Sequence, residues 1–233
     1  MINQVYENNY TTIVEKKYGE KRNEVQDEKI TTKIENIQNY SINNCERNDM
    51  TGYDTYSIDP IGCKDADDAF SIYNENGKLY FAIHIADPTE YIDLHSDLWN
   101  DIVNRTTTKY PSNRAPIHMM PSNVLELSSL LGTEEGNSKN AITVFTEVDT
   151  TTYEPINEIK LLFTTIFVKK ENAFSYNNAA ALSDDFFPFK TGLEISERLK
   201  MRRTKQTVGI KLNEVSTAYP IYEEDNVFLQ EDS

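Results

Sequence analysis

The stretch "SIDPIGCKDADDAFSIYNENGKLYFAIHIAD", residues 57–87, joins a dense group of acidic residues to a regular apolar pattern. In "KLYFAIHIA", residues 78–86, apolar side chains occupy both alternating sets, which is typical of a buried strand. "AFSIY", residues 69–73, predicts a second strand, and "ENG", residues 75–77, predicts the turn between the two. The stretch therefore predicts a β-hairpin whose first strand begins directly after the acidic residues.

Strands and helices are also predicted on both sides of this hairpin, without the strict alternation of a parallel fold. The strand candidates are residues 55–58, 141–149, 156–170, 208–212 and 227–230. Helices are predicted in residues 95–110, 174–182 and 191–207, with Ser96 and Ser175 as N-caps of the first two. In the first helix Leu98, Ile102 and Val103 are expected to face inward, and residues 111–123, with three prolines, are expected to be irregular. This pattern predicts an α+β fold, a mixed and largely antiparallel sheet flanked by helices.

The composition is that of a globular chain with a strongly acidic surface. The formal net charge is −15, which repels nucleic acid at long range, so a nucleic-acid-binding function would need a local basic groove or bound cations. Two cysteines make no disulfide framework, and we find no signal peptide and no run of about 20 apolar residues. We expect a cytoplasmic protein that does not enter a membrane. Residues 1–48 are polar and predict an arm or a loosely docked helix.

Four aspartates, Asp59, Asp65, Asp67 and Asp68, fall within ten positions. A pair of aspartates in a loop is usually a turn or capping feature. Four of them beside a buried strand are harder to explain, because like charges about 4 Å apart repel by about 4 kcal/mol at an effective dielectric constant of about 20. A cation would remove this repulsion, and Mg²⁺ prefers carboxylate oxygens.

Other metals fit the spacing less well. A helix-loop-helix calcium site counted from Asp65 would need glycine at the sixth position and glutamate at the twelfth, where the chain has Phe70 and Asn76. Transition metals prefer imidazole and thiolate ligands, and Cys63 has no second soft ligand at a suitable spacing. The residues therefore favour magnesium.

Three blocks in succession resemble the RNB catalytic domain, the domain of bacterial ribonuclease II, ribonuclease R and the catalytic exosome subunit. They are "YSIDPIGCKDADDAFSI", "YFAIHIADPTEYI" and "NRTTTKYPSNRAPIHMMPSN", the last followed by "LSSLL". The resemblance covers roughly residues 47–209, and the first block is its most specific part. It divides the chain into a polar arm, residues 1–48, and a partial RNB-type catalytic domain, residues 49–233.

The resemblance implies a magnesium-dependent 3′-to-5′ exoribonuclease that releases nucleoside 5′-monophosphates from single-stranded RNA. Asp59 and Asp68 would bind one Mg²⁺ directly, and Asp65 and Asp67 would complete the catalytic site, with room for a second metal.

Three further residues are substrate-binding candidates by the same resemblance. His84 and Asp87, in the "HIAD" block, would shape the site without binding metal, although a histidine on a strand is more often a hydrogen-bonded core residue. Tyr110 would pack near the 3′ end of the RNA, where stacking on an aromatic ring contributes about 1–3 kcal/mol per base. A plain core tyrosine is an equally good interpretation of Tyr110.

The sequence departs from the family in its later part. An "IEEFM"-like helix and a "TSPIRRY"-like segment, which supplies an arginine to the reacting phosphate in the family, have no counterpart here, so the domain is expected to be truncated at its C-terminus. Arg105, Arg114, Arg202 and Arg203 do not lie in that motif. Three alternatives stay open: the metal-bearing half of an enzyme completed by a second chain, a shortened active enzyme, and a non-catalytic remnant that binds RNA or a partner.

Overall fold

The computed structural model describes residues 46–63, 65–109, 117–206, 218–223 and 226–231. The chain divides into two compact units, Met1–Ile195 and Ser196–Ser233. Tyr110, Arg114 and the strand candidate at 208–212 lie outside the described residues, as does the predicted arm up to residue 45. The division into an arm at 1–48 and a catalytic domain at 49–233 stays a prediction.

A five-stranded sheet forms the centre of the first unit. Its strands are β1 (Asn48–Asp49), β3 (Asp68–Glu75), β4 (Lys78–Ala86), β5 (Asn137–Val148) and β6 (Lys160–Val168). They lie in the order β1-β6-β5-β4-β3, and neighbouring strands are antiparallel except for β1 and β6, which are parallel. The short strands β2 (Ser57–Asp59) and β7 (Ala173–Ser175) form a separate parallel pair. The prediction of an α+β fold with a mixed, mostly antiparallel sheet is confirmed.

The hairpin predicted from the opening stretch is present. β3 and β4 pair from Asp68 opposite Ile85 to Glu75 opposite Lys78. The turn residues Asn76 and Gly77 have φ angles of 52° and 78°. Two successive positive φ angles are the conformation of a type I′ turn, for which Asn-Gly is the preferred sequence.

In the described part of the chain, four α-helices accompany the strands: α1 (Asp97–Arg105), α2 (Ser122–Ser128), α3 (Tyr176–Leu182) and α4 (Phe187–Gln206). The predicted caps are present, since Ser96 Oγ accepts a hydrogen bond from Trp99 N and Ser175 Oγ accepts one from Asn178 N. The inward orientation predicted for Val103 is wrong: Ile102 is buried and Leu98 is partly buried, but Val103 is 52% exposed. Helix α2 was not predicted, because its apolar residues begin inside the proline-containing segment.

The two faces of the sheet are covered by different parts of the chain. On one face Ala69, Ala82 and Ala141 pack with Met50 and Leu130. On the other face, beside β3, Phe189 of α4 and Phe186, which directly precedes α4, pack around Tyr56 and Phe70. Gly192 allows α4 to approach closely, because a Cβ atom there would lie 3.3 Å from Ile72 Cδ1. Near β4–β6 the same face has exposed apolar side chains, among them Leu161 and Phe163.

The second unit contains the end of α4 and one antiparallel hairpin. Its strands are β8 (Ala218–Glu223) and β9 (Asn226–Glu231), and β9 contains the predicted strand at 227–230. Among the described residues of both units, no helix combines the length and the apolar character that crossing a bilayer requires.

Candidate active site

Two neighbouring strands bring the first and last aspartates of the acidic stretch together. Tyr56 and Phe70 exchange two backbone hydrogen bonds of 2.8 Å, which fixes the start of β2 beside β3. Asp59 is the last residue of β2, and Asp68 is the first residue of β3. Because strands paired in this way run in opposite directions, the end of one lies next to the beginning of the other. The four aspartates therefore gather at one end of the hairpin.

The loop between Asp59 and Asp68 is held from both sides by the backbone. Ala66 is fully buried, its N–H donates to Ser129 Oγ at 3.1 Å, and its carbonyl oxygen accepts from Leu130 N at 2.8 Å. The carbonyl oxygen of Asp67 accepts from Ala86 N at 2.8 Å. The "LSSLL" block thus anchors the aspartate loop. Sequence reasoning used this block only as part of the resemblance and did not identify Ser129 as a positioning residue.

The electrostatics of the loop show that the four carboxylates interact. Partial burial raises the pKa of Asp67, and the charges of Asp65, Asp68 and Asp59 raise it further. Among the residues that the structure describes, no salt bridge joins a lysine or arginine to any of the four aspartates. The cluster therefore carries negative charge that its described surroundings do not balance.

Two buried oxygen atoms on β2, Asp59 Oδ2 and Ser57 Oγ, have no hydrogen-bond partner among the residues that the structure describes. Residues 57 and 59 are two apart on a strand, so their side chains lie on the same face. The other carboxylate oxygen, Asp59 Oδ1, accepts a weak hydrogen bond from Cys63 Sγ at 3.7 Å. Buried polar atoms are nearly always paired, so an unpaired carboxylate oxygen in a group of carboxylates indicates a site for a cation.

The donor atoms fit magnesium in their chemistry, since they are hard carboxylate oxygens. Their arrangement is looser than a closed metal site: in the described part of the chain, no three His, Cys, Asp or Glu side chains lie in a metal-ligating group. The metal-binding role of Asp59, Asp65, Asp67 and Asp68 stays a prediction, supported by the unpaired Asp59 oxygen.

His84 lies inside the sheet, in a chain of buried hydroxyl groups. Its Nε2 is 3.0 Å from Ser71 Oγ, and its Nδ1 is 2.8 Å from Thr143 Oγ1. The hydrogen-bonded network continues from Ser71 Oγ to Thr55 Oγ1 at 3.2 Å and from Thr143 Oγ1 to Thr164 Oγ1 at 2.6 Å. His84 is 0% exposed, so it has no surface to offer to RNA. Its proposed effect on the substrate stays a prediction, and the geometry restricts that effect to positioning β3 and β4.

Burial lowers the pKa of His84 to about 4, against 6.5 for an unperturbed imidazole. The unfolded chain therefore takes up a proton at a higher pH than the folded chain does. The stability that the neutral ring contributes is complete above pH 6.5 and decreases as the pH falls towards 4, by about 3 kcal/mol. We expect the His84 ring signals to titrate with a midpoint near pH 4 in an NMR experiment. A midpoint near 6.5 would contradict the buried network.

Asp87, the other substrate-binding candidate in this block, is buried in a network of ion pairs. Arg47 Nη2 lies 2.7 Å from Asp87 Oδ2 and 2.5 Å from Glu90 Oε2. The same guanidinium donates to the carbonyl oxygens of Ala141 and Thr164. The Asp87–Arg47 ion pair thus connects the residues after β4 to the residue before β1. The proposed role of Asp87 in binding RNA stays a prediction.

The comparison with family models places most of the chain in one family. Residues 47–225 match the model of the RNB domain. This range begins at the arginine that enters the buried ion pairs and includes the whole aspartate loop.

Two curated relatives are named as an exonuclease and an exoribonuclease. The chain is 32% identical over 160 residues to the exosome complex exonuclease dis3 of Schizosaccharomyces pombe, covering 63% of this chain and 15% of that protein. It is 31% identical over 140 residues to exoribonuclease 2 of Buchnera aphidicola, covering 59% of this chain and 21% of that protein. The chain therefore spans about a fifth or less of each of these relatives.

A solved structure shows the same fold. RNase R of Mycoplasma genitalium, in complex with ribose-methylated single-stranded RNA, matches with a TM-score of 0.67 and 18% identity, over 91% of this chain and 34% of that one. The resemblance seen in the three sequence blocks is confirmed by the family match, by relatives named as exonucleases and by this fold. The chain belongs to the RNB-domain family.

Proposed function

We propose that this chain carries the metal-binding part of a magnesium-dependent 3′-to-5′ exoribonuclease site, which releases nucleoside 5′-monophosphates from single-stranded RNA. The observation that carries the proposal is the group of four interacting aspartates at the junction of β2 and β3, with an unpaired buried oxygen on Asp59. The relatives named as exoribonucleases and the neighbour solved with RNA support this substrate class.

Each aspartate has a distinct position from which to act. Asp59 and Asp68, at the facing ends of two strands, would hold one Mg²⁺ between them, and Asp65 and Asp67 would complete the site from the loop. Bound Mg²⁺ would polarise the phosphate and lower the pKa of an attacking water. The chain's own part is to hold the carboxylates in place through Ala66 and the paired strands, and to leave one side of the loop open to the RNA end.

Further polypeptide would complete such a site, either a continuation of this chain or a second chain with the remaining RNB segments. The aspartate cluster lacks a salt bridge to a basic side chain among the described residues, whereas a phosphodiester in reaction needs positive charge near its oxygens. We propose that the missing positive charge comes from that further polypeptide and from the metal.

A second candidate function is a non-catalytic RNB remnant that binds RNA or a partner protein. The observation in its favour is the loose arrangement of the carboxylates, with no three of them in ligating contact in the described residues. Such a protein would keep the aspartate loop as a structural or weak cation-binding feature.

A single assay separates the two candidates. Purified chain is incubated with 5′-labelled single-stranded RNA in Mg²⁺ or in EDTA, and binding is measured in parallel by filter retention. The proposed function predicts a ladder that shortens from the 3′ end in Mg²⁺, and no shortening in EDTA. Without the arginine segment, turnover should be slower than in a complete enzyme by about 10²–10³-fold. Retention of intact RNA would favour the remnant. Neither cleavage nor retention would reject the nuclease and would leave only a remnant that binds a partner protein.

A further inference from the structure

Three strands of the central sheet carry an uncovered group of aliphatic and aromatic side chains. Ile85 on β4 lies opposite Ile142 on β5, which lies opposite Phe163 on β6. In the next row of the same face, Ile83 lies opposite Val144, which lies opposite Leu161. We call these six residues the open apolar patch.

The open apolar patch is accessible to solvent to an unusual degree for a sheet face. Leu161 is 69% exposed, Ile85 is 43% exposed and Phe163 is 41% exposed. Contiguous apolar side chains in cross-strand register are rarely left in water, and such patches normally bind another segment or another protein. On the same face beside β3, by contrast, Phe189 of α4 and the preceding Phe186 pack on Phe70.

The N-terminal part of the chain enters the sheet at the edge of this patch. Asn48 pairs with Thr164 on β6, and its side-chain amide donates to the carbonyl oxygen of Phe163 at 3.3 Å. The guanidinium of Arg47 lies 5.7 Å from the centre of the Phe163 ring. The residues that precede Arg47 are therefore attached directly beside the patch.

The patch is about 10 Å wide, since three adjacent strands are separated by two spacings of about 4.8 Å. Ten residues of extended chain span about 33 Å. A segment that ends at Arg47 can thus cross the patch and still have residues left.

The chemistry of residues 1–45 suits this position. Isoleucines at 30, 34 and 37 recur at the spacing of one helical face, so a helix over these positions would have an apolar side. The segment has six basic and seven acidic residues, a net charge of −1, so residues 46–233 carry the remaining −14. Two copies of the chain, each with a net charge of −15, would repel each other. The segment, with a net charge of −1, adds little repulsion. RNA is a poor occupant, because the six patch side chains offer no cation for its phosphates.

We propose that residues 1–45 of this chain fold back over the open apolar patch and cover it. The contact places apolar side chains of the segment on Ile85, Val144, Leu161 and Phe163. This proposal is independent of the proposed nuclease function, because the patch and the entry point of the segment do not involve the aspartates.

Site-specific photo-crosslinking of the full chain tests this directly. Benzoylphenylalanine is introduced at position 161, where the side chain is exposed and the substitution does not disturb the core. A matched control carries the same group at position 103, since Val103 is exposed on α1. We expect irradiation to link position 161 to a tryptic peptide from residues 1–45 within a monomer, and position 103 to give no such link. A link to a second copy, a link to another part of the chain or no link at position 161 would overturn the proposal.

Limited proteolysis gives a second measurement. Trypsin can cut after the six basic residues of the segment. Leu161→Asp puts a charge into the contact and should speed cleavage within residues 1–45 by about tenfold, because the segment detaches more often. Val103→Asp should leave this rate unchanged. Equal rates in parent and Leu161→Asp would contradict a docked segment.

Discussion

Replacing Asp67 by asparagine is expected to abolish RNA cleavage and, in the same protein, to raise the melting temperature measured without metal. The first effect follows because an amide replaces a charged oxygen without adding bulk, and loss of one electrostatic group of this kind lowers the rate by at least about 10²-fold. The second follows from the pKa of Asp67, which partial burial and the charges of Asp65, Asp68 and Asp59 raise.

The pKa of the Asp67 carboxyl is higher in the folded chain than in the unfolded chain, so the stability it contributes is present at low pH and is lost as the pH rises through the raised folded value. At neutral pH the ionised carboxylate therefore destabilises the metal-free fold. The Asp67 side chain is only partly buried and keeps contact with water, which screens the repulsion, so we expect an increase of only about 1–3 °C in the asparagine variant.

The matched control for this variant is Asp184→Asn, which removes the same charge from an exposed position outside the aspartate loop. It should change neither the cleavage rate nor the melting temperature. Cleavage and melting are followed with the same preparations, and circular dichroism confirms the fold. An Asp67→Asn protein that cleaves RNA at the parental rate would show that this carboxylate is not part of the site.

Replacing Arg47 by alanine is expected to cause the largest loss of stability of any exchange proposed here. It leaves Asp87 and Glu90 buried without their cation, and breaking a buried ion pair in this way costs about 3–5 kcal/mol. Burial alone would lower the pKa of Arg47, but the hydrogen bonds and charges of Asp87 and Glu90 raise it above its usual value. The guanidinium therefore stays charged and paired.

Urea denaturation of the parent and of two alanine variants measures this effect. Lys78→Ala is the control, because Lys78 pairs with Glu147 at 3.0 Å while its side chain is 53% exposed. An exposed pair of this kind contributes at most about 1 kcal/mol. If Arg47→Ala and Lys78→Ala shift the unfolding free energy equally, the buried network is not a determinant of the fold.

The hairpin and the helix caps could be predicted because local sequence decides them. Asn76 and Gly77 require a turn with positive φ angles, and Ser96 and Ser175 precede helical stretches with free backbone N–H groups. The acidic stretch likewise predicted a cluster of carboxylates suited to a cation, since carboxylates so close in sequence remain close in space. These features involve residues within a few positions of one another.

The parts that sequence did not predict depend on distant contacts. The anchoring of Ala66 by Ser129 joins residues 63 positions apart, and no local pattern indicates such a bond. The partner of Asp87 is Arg47, 40 positions away in a segment that looked like a polar arm. Val103 was expected to face inward from its apolar character, yet the packing of α1 against Ile92 and Val124 uses Ile102 instead.

The most direct test of the central claim is the identity of the first product released from RNA. Single-stranded RNA that is labelled only in its 3′-terminal nucleotide is incubated with the purified chain and Mg²⁺, and early products are separated by chromatography. The account predicts that the label appears first as a nucleoside 5′-monophosphate, and that Asp67→Asn releases none. Labelled oligonucleotides, a nucleoside 3′-monophosphate, or no release with the parent chain would contradict the account.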